Sequence, residues 1–470
     1  MNGMLCVLSL HSNTMPMKAR IIICSLTVTL PLLSMAQKRP NILYIMTDQQ
    51  AAMAMSCMGN PYVNTPHMDR LAARGMMFVN AYCAFPLSGP SRASMFTGYM
   101  PSEVGMQENG KPLPDSLCQE TLGTVLRSGG YECAYAGKWH VNTNELPAKE
   151  AFGFDKLHGH DDKGLAEACV SFLRRKHDKP FFLVASFNNP HGICEFARGQ
   201  NPPAGRIEER KADDRPPLPA NFTRNPYDAS ALTYEKKFSL KMYPTADYTP
   251  DDWRNYLDAY YQLVENVDAE IGKIVDELDR QRLWDNTLVV FTSDHGDGCA
   301  AHQWNQKTAL YENVASIPLI VCMPRGKNRG KVMTQLVNNG EDLMPTLCDF
   351  AGIAMPKGRS GKSWRVALER GDSSVTIHPY VVTETNFAQT AGTLGWMVRT
   401  PRYKYVMYDT GKNREQLFDM SNDRGEMINL AVTSKYRDVL RAHRRMLAEW
   451  MQKHPSGATR LKAKWLPTDR

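Results

Sequence analysis

The chain has 470 residues, 43% of them hydrophobic and 22% charged, with a formal net charge of +7. That length accommodates one large domain with a sizeable core and a smaller one beside it, at a composition ordinary for a globular protein. The mild positive charge comes without a basic tract or interleaved aromatics, which excludes a nucleic-acid partner, and no uninterrupted run of about 18 apolar residues is present to form a stable membrane span.

In chain order, the first feature is a targeting pattern. From Met17, Lys18 and Arg20 precede an apolar stretch from Ile21 to Leu33, and Ser34-Met35-Ala36 offers a small-residue cleavage site before Gln37. The pattern is complete without the residues before Met17. Residues 1–36 are therefore expected to be a signal-peptide region whose true start is Met17, and the protein is expected to be exported: periplasmic, cell-surface or secreted. Loss of Lys18 and Arg20 takes 56 Lys+Arg to 54 against 49 Asp+Glu, a net charge of +5. Nine of the 11 cysteines remain. An odd number in no regular framework implies no disulfide scaffold.

NILYIMTD (41–48) is a short apolar run ending in an acid, the pattern of a buried parallel strand. FFLVASF (181–187), TLVVFTSD (287–294) and IPLIVCMP (317–324) share it. Between them, Thr249-Pro250-Asp251-Asp252 predicts a helix N-cap with Pro at the first helical position. Leu257, Tyr260, Tyr261, Val264, Val267, Ile271, Ile274, Val275 and Leu278 follow at spacings that put them on one buried face. Alternation of this kind predicts an α/β sheet covered on both sides. FPLSGPSRASMFTG (85–98) reads as a strained strand-to-helix corner, its helix opening at ASMF. The Pro-, Asn-, Asp- and Arg-rich stretch 199–249 is expected to be an irregular surface insertion. After a composition shift near Gly371, WMVRTPRYKYVMYD (396–409) alternates like an antiparallel hairpin, and 434–454 reads as a terminal helix with Arg441–Arg445 on its exposed face. Residues 37–370 are thus expected to form the main domain, and 371–470 a small α+β subdomain.

In open α/β sheets ligands bind beyond the carboxyl ends of the strands. Two strands here end in oxygen-rich tips, Asp48-Gln49 and Asp294-His295 with Asp297 beyond, a donor set suited to a hard divalent cation if both tips reach one edge. Taken singly, an Asp at a strand end is equally a cap or turn residue, His191 in NNPHG a loop histidine, Lys138 a snorkelling strand-end lysine and Lys307 a solvated charge. Trp139 reads as packing.

PLSGPSRASMFTG (86–98) resembles the sulfatase signature position by position, with Ser88 where the family carries the Cys or Ser converted to formylglycine. GYECAYAGKWH (130–140) is similar to the second signature, although Cys133 stands where Ser or Thr is usual. NNPHG, SDHGD, HQWNQKTALYE (302–312), EDLMPTLCDFAG (341–352) and EQLFDMSNDRGEMINL (415–430) follow in family order, so the resemblance covers about residues 40–430. It implies an alkaline-phosphatase-like fold with a large mixed central sheet flanked by helices and a small C-terminal antiparallel sheet. The activity it implies is that of a Ser-type bacterial sulfatase acting on a sulfated saccharide, a glycosaminoglycan or mucin-type fragment, matured by an anaerobic sulfatase-maturating enzyme.

Carried over residue by residue, Asp48, Asp294 and His295 match metal ligands, with Ser88 beside the ion. Gln49, a further expected metal ligand, stands where many relatives have a second Asp, which lowers the site's negative charge, and His295 stands where others have Asn. The implied metal is Ca²⁺, with Mg²⁺ or Mn²⁺ as alternatives given the nitrogen ligand. Arg92, one helical turn after Ser88, is expected to reach the modified side chain. Lys138 and Lys307 match lysines that hold sulfate oxygens, His140 the histidine beside the modified residue, and His191 the group that protonates the leaving oxygen. His302 is a candidate substrate contact, and TETN (383–386) is expected to contribute from the C-terminal side. Two other readings stay open: a phosphate or phosphonate ester hydrolase of the same superfamily using Ser88 unmodified, and a non-catalytic protein that binds sulfated glycan.

Overall fold

The computed structural model describes residues 39–143, 145–147, 152–387 and 393–454. The signal-peptide region, 1–36, lies outside them.

Strand β1 (Asn41–Asp48) is the centre of the molecule. It is buried from Ile42 on, with Ile42, Tyr44 and Met46 entering one core and Leu43 and Ile45 the other, as strand alternation requires. The strands introduced next are numbered in chain order. Met76–Phe78 is β2, Ala81–Tyr82 β3, Glu132–Gly137 β4, Asp155–His158 β5, Phe181–Pro190 β6, Thr287–Ser293 β7, Leu319–Cys322 β8, Lys331–Met333 β9 and Val337–Asn338 β10. Eight of them form one sheet in the order β5-β4-β6-β1-β7-β8-β2-β9, while β3 and β10 pair separately. β1 lies parallel to both neighbours, Tyr44 facing Val184 of β6 and Val290 of β7. β8 runs antiparallel to β7 and β2, which makes the sheet mixed.

On one face lies the helix Pro250–Arg280. Its N-terminus is a reciprocal capping box: Thr249 Oγ1 accepts from the Asp252 N–H at 3.2 Å, and the Thr249 N–H donates to the Asp252 carboxylate at 2.8 Å. All nine apolar positions expected of its inner face are buried. On the other face, helices Ser88–Thr97 and Asn339–Ala351 bury Ala93, Met95, Phe96, Leu343, Met344 and Leu347. They meet where Gly340 has no side chain; a Cβ there would lie 2.4 Å from Ser94 Oγ. Trp139 is fully buried, ringed by Phe96, Tyr135, Phe152 and Phe154.

Two expectations shift. The helix after the signature corner starts at Ser88 rather than at ASMF. Pro90 falls in the first turn, where a missing N–H removes no helical bond. Within 199–249 the chain is mostly irregular but forms a helix at Ser230–Met242.

The C-terminal sheet is β11 (Val381–Phe387), β12 (Thr393–Arg399), β13 (Tyr403–Tyr408) and β14 (Glu415–Asp419), antiparallel throughout, with β12 and β13 the expected hairpin. The terminal helix Arg437–Lys453 covers it. Arg445 is exposed, but Arg444 turns inward and grips both oxygens of Glu415 at 2.8 and 2.7 Å. From Arg39 on the described residues form one compact unit. β11 is tied to the loop ahead of Ser88 by Thr383 to the Cys83 carbonyl at 2.7 Å and Glu384 N–H to the Ala84 carbonyl at 2.8 Å. Lys404 is buried between Glu426 and Glu312 at 2.7 and 3.3 Å. The cysteines among the described residues are all free thiols.

Removal of the capping box tests the long helix directly: Thr249→Ala is expected to lower stability by about 1 kcal/mol in a denaturant titration, and an unchanged midpoint would mean that packing alone holds the helix end.

Candidate active site

Five strand or helix ends converge on one point. β1 delivers Asp48, and the chain after β7 delivers Asp294 and His295. Helix Ser88–Thr97 presents Ser88 at its first position. The segment after β4 brings Lys138 and His140, and the end of β6 brings Asn188 and His191. Lys307 arrives on the loop after the short turn Ala301–Gln303.

Arg92 binds these ends together. It is fully buried, and its Nε donates to Asp294 at 2.8 Å, one Nη to Asp48 at 2.9 Å, and the other to the Lys138 carbonyl at 2.7 Å and Ser186 Oγ at 2.9 Å. Its hydrogen bonds are thus with Asp48, Asp294, Lys138 and Ser186. Ser88 Oγ lies 3.3 Å from Asp48 Oδ1 and 3.1 Å from His295 Nε2. Lys138 Nζ sits 2.9 Å from Asp48 and 3.1 Å from the Asn188 side-chain oxygen.

The charges set the protonation states. Burial opposes ionisation of Asp48, but Lys138, Arg92 and Lys307 outweigh it and hold the carboxyl well below its ordinary range. Burial and the nearby lysines work in the same direction on the histidines: His140 is depressed to about 3 and His191 well below its usual value. Both are neutral in the free site. Burial lowers Lys138 too, against the pull of Asp48.

The donor set fits a divalent cation. Ligand atoms of Asp48, Asp294 and His295 lie within 4.8 Å of one another, about the span of two oxygens each at roughly 2.4 Å from a shared ion. His295 Nδ1 lies 2.9 Å from the Gly296 carbonyl. Donation there leaves Nε2 as the lone-pair nitrogen, turned toward Ser88. Gln49 has a different task. In left-handed backbone (φ 69°), its amide donates to Asp297 at 2.8 Å and its carbonyl accepts from Lys307 at 3.0 Å. That carbonyl thus positions Lys307.

His302 is not brought into this group. It is 1% exposed and stacked on Tyr311 at 4.2 Å, and its backbone N–H donates to the Asn221 carbonyl. The residue after it, the turn residues Cys299 and Ala300 before it, and His302 itself all have positive φ, and this turn carries the ring away from Lys307.

Several residues support the site in ways the sequence did not assign to them. Asp162 accepts the backbone N–H groups of Asn188 and Asn189 at 2.5 and 2.8 Å, fixing the segment that carries the Lys138 partner and His191. Burial pushes its carboxyl up to about 6 against those two bonds. Asp297, also pushed to about 6 by burial, collects Gln49, Tyr256 and the Cys299 and Gln306 N–H groups. Tyr260 accepts from the Ala51 N–H and donates to the Gln49 carbonyl, bracing the β1 tip.

Above the group opens a cavity of about 330 Å³, lined by His191, Lys307, Gln306, Arg198, Glu235 and Asn386 among others. The contribution expected from TETN thus reaches it through Asn386, while Thr385 donates to the Thr308 carbonyl at 2.6 Å.

Comparison with known proteins agrees with this geometry. Residues 40–353 match the family model described as Sulfatase, and 300–453 that described as N-sulphoglucosamine sulphohydrolase, C-terminal. The chain is 33% identical over 437 residues to a Delta 4,5-hexuronate-2-O-sulfatase of Bacteroides thetaiotaomicron, covering 88% of this chain and 89% of that one. The solved structure of a 2-O GAG sulfatase superposes with a TM-score of 0.77 at 30% identity, over 89% of this chain and 93% of the other. A phosphonate monoester hydrolase of Agrobacterium radiobacter shares the fold, with a TM-score of 0.72 at 20% identity over 89% and 97% of the two chains.

Asp162 offers a test of the frame. Asp162→Asn keeps one acceptor and turns an NH₂ toward the second backbone N–H. It is expected to cost about 1–3 kcal/mol of stability, read by denaturation, and to slow turnover of a sugar sulfate. Full stability and turnover would show that the β6 end needs no such anchor.

Proposed function

The chain belongs to the sulfatase family and is a sulfuric ester hydrolase acting on sulfated carbohydrate, and from that premise we propose that it works through a formylglycine made from Ser88 by an anaerobic maturase. We propose further that it does so outside the cytoplasm on glycosaminoglycan or mucin-type fragments. The observation that carries the reading is the position of Ser88: first residue of its helix, against Asp48 and His295, with Lys138 paired to the same Asp48. The uronate substrate in the name of the 33% identical relative supports a sulfated, uronate-containing glycan. The pattern from Met17 supports export, and among the described residues no helix is long and apolar enough to cross a membrane.

Asp48, Asp294 and His295 would hold a divalent cation, Ca²⁺ by family resemblance, which lowers the charge density of oxygens gathered there. A formylglycine at position 88 would supply a hydrated aldehyde, with one hydroxyl to displace the sugar oxygen from sulfur and a second whose deprotonation would release the sulfate. The protein's own groups do the rest. Lys138 and Lys307 hold the sulfate oxygens and favour charge developing on them. His140, neutral, is suited to taking the hydroxyl proton at the elimination step.

His191 protonates the departing sugar oxygen. It is neutral in the free site because burial and two lysines depress it, and an arriving sulfate anion offsets those lysines and raises its proton affinity. Arg92 acts through others: it fixes Asp48 and Asp294 by hydrogen bonds and helps keep Asp48 ionised.

Protein co-produced with an anaerobic maturase is expected to yield a Ser88 peptide lighter by two hydrogens and to release sulfate from a defined sugar sulfate, with Ser88→Ala at background. Matured protein active only on phosphate esters would overturn the reading in favour of a phosphohydrolase, and binding without turnover of either ester would favour a lectin-like role. His191→Gln is expected to lose about 10²–10⁴-fold on sugar sulfates and far less on an aryl sulfate, whose leaving group needs no proton. Equal losses on both would remove His191 from the acid role.

A further inference from the structure

We propose that Arg198 forms a second anion subsite in the mouth of the cavity, which takes a carboxylate or a second sulfate borne by the same glycan. The inference rests on the glycan-sulfatase reading and adds to it a charged substituent that the sulfate-cleaving group does not touch.

Arg198 lines the cavity together with His191 and Lys307. Its guanidinium is held in a fixed plane. The central carbon lies 4.8 Å from the centre of the Tyr243 ring, and one Nη donates to Tyr243 Oη at 3.2 Å. Its carboxylate neighbour, Glu195, reaches only the other Nη, at 3.4 Å. The fork is thus oriented by an aromatic face and not closed by a bidentate acid pair, and the side chain stays 32% exposed. A planar guanidinium in this condition suits a carboxylate or sulfate oxygen pair.

The cation is structurally separate from the catalytic ones. Lys138 is committed to Asp48 and Asn188, and Arg92 to Asp48, Asp294, Lys138 and Ser186. Lys307 is held by Gln49 at the entrance to the sulfate position. Arg198 follows the short helix Ile193–Phe196 that begins just after His191. Leaving-group acid and second cation therefore share one rigid segment. Two carboxylates, Glu108 and Glu235, line the same cavity. A second anion must accordingly be placed by a directed contact with Arg198, because the mouth has no uniform positive field. The carboxylates suit sugar hydroxyl donors instead.

The test uses full-length matured protein and matched substrates. These are a 2-O-sulfated hexuronate disaccharide, its carboxyl-reduced counterpart, and a neutral sugar monosulfate with and without a second sulfate. Wild type is expected to favour one doubly charged member over its singly charged partner by about 10- to 100-fold in kcat/KM; which pair shows it distinguishes carboxylate from sulfate. Arg198→Gln is expected to erase that preference while changing the singly charged partner by less than about 2-fold, and Arg198→Lys to keep only part of it. No preference in wild type, or an equal loss on both members of a pair, overturns the assignment. If matured wild type releases no sulfate at all, the functional reading fails instead. The subsite is then judged by calorimetric titration of Ser88→Ala protein with the same saccharides: loss of the affinity difference on adding Arg198→Gln supports it, and an unchanged difference overturns it.

Discussion

One buried guanidinium holds the site together. Arg92 reaches from a helix to β1, β6 and the segments following β4 and β7, and so ties together the ends that carry Asp48, Lys138 and Asp294. Two carboxylates within a fully buried cluster would repel one another; Arg92 bridges them, and with Lys138 it holds Asp48 in its charged form. Loss of one member of such a buried cluster costs about 3–5 kcal/mol, because the remaining charge stays desolvated. This explains why the helix begins at Ser88: the same one-turn offset that places Ser88 beside Asp48 and His295 lets Arg92 reach the strand tips behind them.

The same arrangement fixes the electrostatics. Arg92, Lys138 and Lys307 outnumber Asp48 and Asp294, and a divalent cation would add to the positive side. An anionic ester is drawn in, and the histidines are kept neutral until it arrives. Under the proposed mechanism, a neutral histidine beside residue 88 would already be a base, whereas one beside the leaving oxygen would acquire its proton with the substrate. Two residues of the same type take opposite parts because the ester's charge falls beside one and the attacking group beside the other.

Much of this was readable in the sequence where the signal is short-range and periodic. Short apolar runs marked β1, β6 and β7, those of β1 and β7 leading to an acid, and the Thr249 cap opened the long helix where expected. Ser88, Lys138, His140, His191 and Lys307 were singled out by the resemblance to the sulfatase signatures rather than by periodicity, and the fold brings the segments that carry them to one place. Failures came where tertiary geometry decides. His302 is five residues from Lys307, but a succession of left-handed residues turns it into the core. Asp162 binds backbone N–H groups 26 and 27 residues away, and such acceptors leave no motif. The helix Ser230–Met242 hides in a polar stretch because it buries few residues, Ala231, Leu232 and Glu235, against its surroundings.

The division of labour follows from these positions. Groups for the sulfate sit on strand tips and a helix N-terminus, fixed by Arg92, Asp162 and Asp297. Arg198, Glu235 and Asn386, which line the cavity, come from a segment beyond His191, from the 199–249 insertion and from the C-terminal sheet. Loops and insertions can change without disturbing the buried charges, so one reaction serves many sugars. A relative of 33% identity can therefore share the chemistry of this chain, while the sugar it accepts is set by residues outside the Arg92 cluster.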